Sequence, residues 1–187
     1  GFVANLQNLV RQGGGLLIFG GDKVQPDNYN QKLAQLAPAD LREKKTGPEA
    51  GGEKIAKLDA THPALQIFTD PILLESLESS RVWGYTRASA RGRPLISLAN
   101  GDPLLLEQKV GAGKTLLITT SADRDWSDLP LKTAYLPLIQ SLTQYLAGGK
   151  RGQLDGGIAV NTAKEIALPP ALVGKSLRVA KPNKQDV

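Results

Sequence analysis

The chain has 187 residues, 41% of them hydrophobic and 22% charged, with 23 Lys and Arg against 18 Asp and Glu for a formal net charge of +5. That length suits one domain with a sizeable core, or one domain and part of a second, and the apolar share excludes a wholly disordered chain. The absence of cysteine excludes disulfides, thiolate metal sites and a cysteine nucleophile, and a single histidine excludes a multi-histidine zinc centre.

In residues 2–12, Phe2, Leu6, Leu9 and Val10 recur at helical spacing with amide side chains opposite, which predicts a helix ended by Gly13-Gly14-Gly15. The apolar run 16–19 reads as a strand buried on both faces. Helix, glycine stop and apolar strand are the second half of a βαβ unit whose first strand is missing from this sequence. After Gly20, Gly21 and Asp22, a loop with Pro26 leads to a helix over 29–36, with Leu33 and Leu36 as its apolar contacts. Residues 37–54 are polar and rich in Gly and Pro, the composition of a mobile surface loop. A strand is expected near 55–58, and a helical turn after Thr61, His62 and Pro63. From 81 onward the chain reads as a meander, with strands at 81–86, 95–98, 103–110 and 115–121. They are joined by the turns Asn100-Gly101-Asp102 and Gly111-Ala112-Gly113-Lys114. A helix over 133–146 turns Leu136, Ile139, Leu142 and Leu146 inward. Residues 150–187 shift to short strands at 158–160, 165–168 and 176–180 between Gly and Pro. The predicted class is α/β, with one domain over 1–149 and the start of a β-rich domain or tail over 150–187.

Charge follows the same division. Residues 1–149 carry sixteen basic and fifteen acidic side chains, whereas 150–187 carry seven and three. Nucleic-acid binders gather basic groups on one face of the folded body; this body is close to neutral, so no nucleic-acid partner is expected. No stretch approaches the ~18–20 apolar residues needed to span a bilayer, and there is no signal peptide. The chain has no methionine and begins at Gly1, as expected of a piece of a longer protein.

Four groups of residues carry candidate chemistry. Gly111-Ala112-Gly113-Lys114-Thr115 looks like the end of a phosphate-binding loop, but Gln108 stands where the first glycine belongs and a strand follows, so it reads as a hairpin turn. Gly20, Gly21 and Asp22 lie past the carboxyl end of a strand, where open α/β sheets bind ligands; a glycine turn with a capping Asp is the alternative. Asp123, Arg124, Asp125 and Trp126 also follow a strand, and suit acid–base work, a hard cation, or plain helix capping. Arg81, Arg87, Arg91 and Arg93 surround Trp83 and Tyr85 with no acid among them, the raw material for binding an anionic polymer or simply a solvated hairpin. His62, with no evident companion, reads as a turn or capping residue.

Three segments in order, 5–33, then Thr61-His62-Pro63 and the residues after it, then 101–148, resemble the class I glutamine amidotransferase-like domain of large bacterial membrane proteins. Those proteins often also carry an aerotolerance-regulator-type membrane segment and a von Willebrand factor A domain. The resemblance covers roughly residues 2–149. It implies a flavodoxin-like three-layer sandwich, with a mostly parallel sheet and antiparallel hairpins at one side, held at a cell membrane on its periplasmic side. The amidotransferase cysteine has no counterpart here, and His62 is not in the late position of the family histidine, so the catalytic residues do not carry over.

The expected function is therefore a non-catalytic binding or scaffold module, without cofactor or metal. Its partners would be other domains of the same membrane protein or envelope proteins. The candidate ligand site comprises Gly20, Gly21, Asp22, Asp123, Arg124, Asp125 and Trp126. The alternatives are a hydrolase using Asp123 or Asp125, with or without a divalent ion, and an anionic-polymer binder using the arginine hairpin over 81–93.

Overall fold

Helix α1 forms over Phe2–Arg11 in the computed structural model, which describes residues 1–148. Gly13 ends it at a positive φ of 103°, a conformation open to glycine at no steric cost, and its amide donates to the Val10 carbonyl. Only Val10 of the predicted apolar face is fully buried; Phe2 and Leu9 are exposed. Strand β1 (Gly15–Phe19) follows, then α2 (Pro26–Leu33), which starts three residues earlier than its apolar spacing suggested because Pro26 occupies the first turn.

The polar segment expected to be a mobile loop is ordered. It contains β2 (Ala39–Thr46), which pairs antiparallel with β5 (Gly84–Ala90) in a separate two-stranded sheet. The Asn30 side chain forks across the start of β2, donating to the Leu41 carbonyl and accepting from its amide at 2.8 Å each. Strand β3 (Glu53–Leu58) comes next. Asp70 then caps α3 (Pro71–Glu78), accepting from the Ile72 amide at 2.8 Å. Asp70→Ala is expected to cost about 1 kcal/mol, the usual loss for such a cap, read as a lower urea midpoint at unchanged slope.

The remaining strands are β4 (Arg81–Val82), β6 (Arg93–Leu98), β7 (Pro103–Val110) and β8 (Gly113–Ile118), followed by α4 (Tyr135–Ala147). Glycines at positive φ make the two tight connections, Gly101 at 88° between β6 and β7 and Gly111 at 62° between β7 and β8. The main sheet runs β1, β8, β7, β6, β3, β4. Of its pairings only β1 with β8 is parallel, Leu16 opposite Thr115 and Ile18 opposite Leu117; the others are antiparallel. The expectation of a mostly parallel sheet is thus corrected. Two- to four-residue turns can join only antiparallel neighbours, and most connections among the described strands are too short for a crossover helix.

Strand alternation sends each strand's apolar residues to both faces of the sheet. Leu105, Leu116 and Ile118 pack with Leu65, Phe68, Leu77, Leu138 and Leu142 beneath α3 and α4. Leu106 and Leu117 pack on the other face with Tyr29, Ala39 and Leu41. Val110 on β7 meets Val10 and Leu36. The fold is mixed α/β, with both faces of the main sheet covered. Two expectations are adjusted. β1 is a half-buried edge strand and not a fully buried one. In α4 Leu142 and Leu146 are buried and Ile139 packs against the core as expected, Leu138 is buried with them, and Leu136 is 63% exposed. The chain divides into two units, Gly1–Arg151 and Gly152–Val187, and all functional candidates fall in the first. The short strands expected over 158–180 lie outside the described residues.

Candidate functional site

Because β1 and β8 run parallel and side by side, the chain leaves both at the same end of the sheet. The segment after β1 and the segment after β8 meet there around a cleft of about 260 Å³. Gly20, Gly21, Asp22, Asp123, Asp125 and Trp126 line it together with Lys23 and Ser121. Arg124 does not line it: it borders a second cleft with Arg81 and Trp83. The seven candidates thus divide six to one.

Backbone contacts fix the cleft. The Gly20 amide donates to the Ile118 carbonyl at 2.8 Å, and a Cβ at Gly20 would stand 2.4 Å from the Thr119 carbonyl oxygen, so no larger residue fits. Beyond β8, the Thr120 hydroxyl donates to the Gly84 carbonyl at 2.8 Å, and the Thr119 carbonyl accepts from the Thr86 amide at 3.0 Å. Trp126 is buried against the backbone of Gly84, and its carbonyl accepts from the amides of Trp83 and Gly84, each at 2.9 Å. The indole therefore forms a wall and offers little free surface.

Three carboxylates and one ammonium give the cleft an acidic balance, and Lys23 pairs with Asp22 at 3.3 Å. The Asp125 amide donates to Asp123 Oδ1 at 3.1 Å. The Ser121 hydroxyl first, and then that amide, hold the Asp123 carboxyl below the usual carboxylate range. Asp123 is consequently an ionised acceptor at neutral pH, suited to binding a donor or cation and poorly suited to giving a proton. Among the described residues no group of three or more His, Asp or Glu is placed to hold a metal ion.

Three of the four hairpin arginines are neutralised by their neighbours. Arg87 pairs with Glu43 at 2.9 Å and with Asp102 at 3.3 Å, Arg91 with Asp40 at 3.4 Å, and Arg93 with Asp59. A polyanion would have to displace these acids. The acids missing from 81–93 itself are supplied across the sheet by other segments. The Gly111–Lys114 segment is the β7–β8 turn, and Lys114 places its ammonium 3.6 Å from the centre of the Tyr145 ring.

One cluster was not foreseen. His62 Nδ1 accepts from the Ala64 amide at 3.3 Å, capping the turn that follows, which leaves the proton on Nε2 to be donated to Glu107 Oε2 at 3.2 Å. The Tyr145 hydroxyl donates to Glu107 Oε1, and burial together with that bond pushes the phenol's pKa up. His62 and Glu107 are both buried and line none of these clefts. The sequence signal was Glu107 itself, an acid directly after Leu104-Leu105-Leu106 in a core strand, which requires a buried partner. A larger open groove of about 930 Å³ between α1 and α2, bordered by Phe2, Val24, Tyr29 and Leu33, was also missed, but no carboxylate, histidine, serine or threonine lines it.

No family model matches the chain, and no curated protein matches it. Solved structures do. A cytoplasmic protein from Salmonella typhimurium is similar over 77% of this chain and 59% of its own, with 23% identity and a TM-score of 0.63. A second cytoplasmic protein, from Salmonella typhimurium LT2, is similar over 78% and 58%, with 23% identity and a TM-score of 0.58. A β-galactosidase from Bacillus circulans sp. alkalophilus is similar over 79% of this chain but 21% of its own, with 15% identity and a TM-score of 0.50. The chain thus spans less than two thirds of each of these proteins. The likeness establishes a shared α/β fold. The expected placement at a cell membrane, on the periplasmic side, is corrected on this finding. The first two proteins are described as cytoplasmic, and among the described residues no helix is long and apolar enough to cross a membrane.

Proposed function

We propose that the unit is a non-catalytic binding module of flavodoxin-like, three-layer build, related to the glutamine amidotransferase-like domains but without their chemistry, and that it serves other domains of a larger protein. The observation that carries this reading is the acidic cleft. Asp22 comes from one segment, Asp123 and Asp125 from another roughly a hundred residues later, and all three line one recess at the ends of β1 and β8. Open α/β sheets bind ligands at such strand ends. Its charge favours a ligand bearing an ammonium group or several hydrogen-bond donors. The lack of cysteine removes amidotransfer, and the low proton affinity of Asp123 speaks against general-acid hydrolysis.

Benzylamine is a suitable probe. It is expected to shift the backbone amide resonances of residues 20–22 and 121–126, and Asp123→Asn with Asp125→Asn is expected to weaken it about tenfold. Asp123 keeps its charge to lower pH than a free carboxyl. The part of the binding that Asp123 supplies, isolated in an Asp125→Asn background, should therefore hold from neutral pH down to about 3.9, the ordinary aspartate value, and be lost only below it. Shifts scattered over the surface, or binding indifferent to both substitutions, would sink the reading. Turnover of a simple ester abolished by Asp123→Asn would favour the hydrolase instead.

A further inference from the structure

Among the arginines of the hairpin, Arg81 differs from Arg87, Arg91 and Arg93 in having no carboxylate partner among the described residues, and Arg124 shares that condition. The two border one cleft of about 340 Å³ at the β4 edge of the main sheet, together with Trp83, Leu131, Glu49 and Asp128. We infer that this cleft binds a small carboxylate with a planar apolar body, held by the guanidinium groups and laid against Trp83.

The cleft is built before any ligand arrives. Segments 81–84 and 125–128 are joined by backbone. The Arg81 amide donates to Asp128 Oδ1 at 2.7 Å and the Asp128 amide to the Arg81 carbonyl at 3.1 Å, while Val82 and Ser127 form an isolated bridge. Asp128 is fully engaged, since its Oδ2 pairs with Lys132 at 2.9 Å, and so it does not neutralise the arginines. Glu49 is the remaining acid, exposed on the rim and without an ion pair among the described residues, which leaves two guanidinium groups against one carboxylate. Trp83 Nε1 donates to the Asp125 carbonyl at 2.7 Å, so the indole has only its ring surface left to offer. Leu131, 61% exposed, extends that apolar surface. Guanidinium forks match carboxylates in shape, and an aromatic face beside them favours a flat body. The ligand class is opposite in charge to that of the acidic cleft, and neither proposal depends on the other.

The probe is benzoate, with benzyl alcohol and inorganic phosphate as comparisons, followed by titration on the full chain. Benzoate is expected to bind in the millimolar range and to shift the Trp83 indole N–H resonance while leaving that of Trp126 in place. Arg124→Ala and Arg81→Ala are each expected to weaken it about tenfold or more, with Arg124→Lys in between. Arg124 is exposed and makes no hydrogen bond among the described residues, so its substitution tests the site without threatening the fold. Three results would overturn the inference: no shift at Trp83, equal binding of benzyl alcohol, or phosphate binding as well as benzoate.

Discussion

Replacing Glu107 with alanine is expected to destabilise the folded unit by about 2–5 kcal/mol, from about 1–3 kcal/mol for each of two buried donors left unpaired. The substitution strands two donors at once, the Nε2–H of His62 and the hydroxyl of Tyr145, in a region where both His62 and Glu107 are sealed from water. His62 cannot turn its ring to compensate, because Nδ1 is committed to the Ala64 amide. Glu107→Gln keeps one acceptor and should cost less, about 1–3 kcal/mol. Urea denaturation of both variants at neutral pH measures this. A loss below about 1 kcal/mol for Glu107→Ala would mean the network contributes little to holding α4 against the sheet.

Gly113→Ala is expected to cost about 3 kcal/mol, the upper end of what overpacking imposes. A Cβ there would lie 2.0 Å from the Val10 carbonyl oxygen and 2.2 Å from that of Gly14, and both are backbone atoms with little freedom to yield. The Gly-Ala-Gly-Lys string therefore owes its small residue to the close passage of β8 beneath the end of α1, and not to a phosphate. Displacing α1 would carry β1 with it, so the amides of 20–22 should shift as well as the denaturation midpoint. Gly47→Ala, with nothing within 4 Å of the added carbon, serves as the control and should be near neutral.

Features governed by neighbouring residues were readable from the chain. The stop at Gly13, the turns at Gly101 and Gly111, and the strands between them all follow from local backbone preference. The meeting of Gly20–Asp22 with Asp123, Asp125 and Trp126 was also readable, because each segment follows an apolar strand and strand ends of one sheet converge. What escaped depends on partners distant in sequence. Residues 39–46 have no alternating pattern and become a strand only through β5 and the Asn30 fork. On α4 the expected Ile139, Leu142 and Leu146 do face the core, Leu138 joins them, and Leu136 alone turns outward. Arg124 borders the second cleft and not the first because the chain bends through residues 122–126, a local course that residue types alone do not encode.

The single parallel pairing has a kinetic consequence. Joining β7 to β8 closes a turn of a few residues, whereas bringing Leu16 opposite Thr115 closes a loop of roughly a hundred. Loop-closure entropy grows by about 0.6 kcal/mol for each doubling in length, so the long closure is about 3 kcal/mol harder to make. The meander should therefore assemble first, with β1 docking onto it late. Substitutions in β1 would then speed unfolding while leaving the folding rate nearly unchanged, and substitutions along β7 would slow folding. Under native conditions the amides of β1 should exchange with solvent through partial openings that leave Leu104–Leu106 protected. The acidic recess would thus close last during folding and open first during fluctuation.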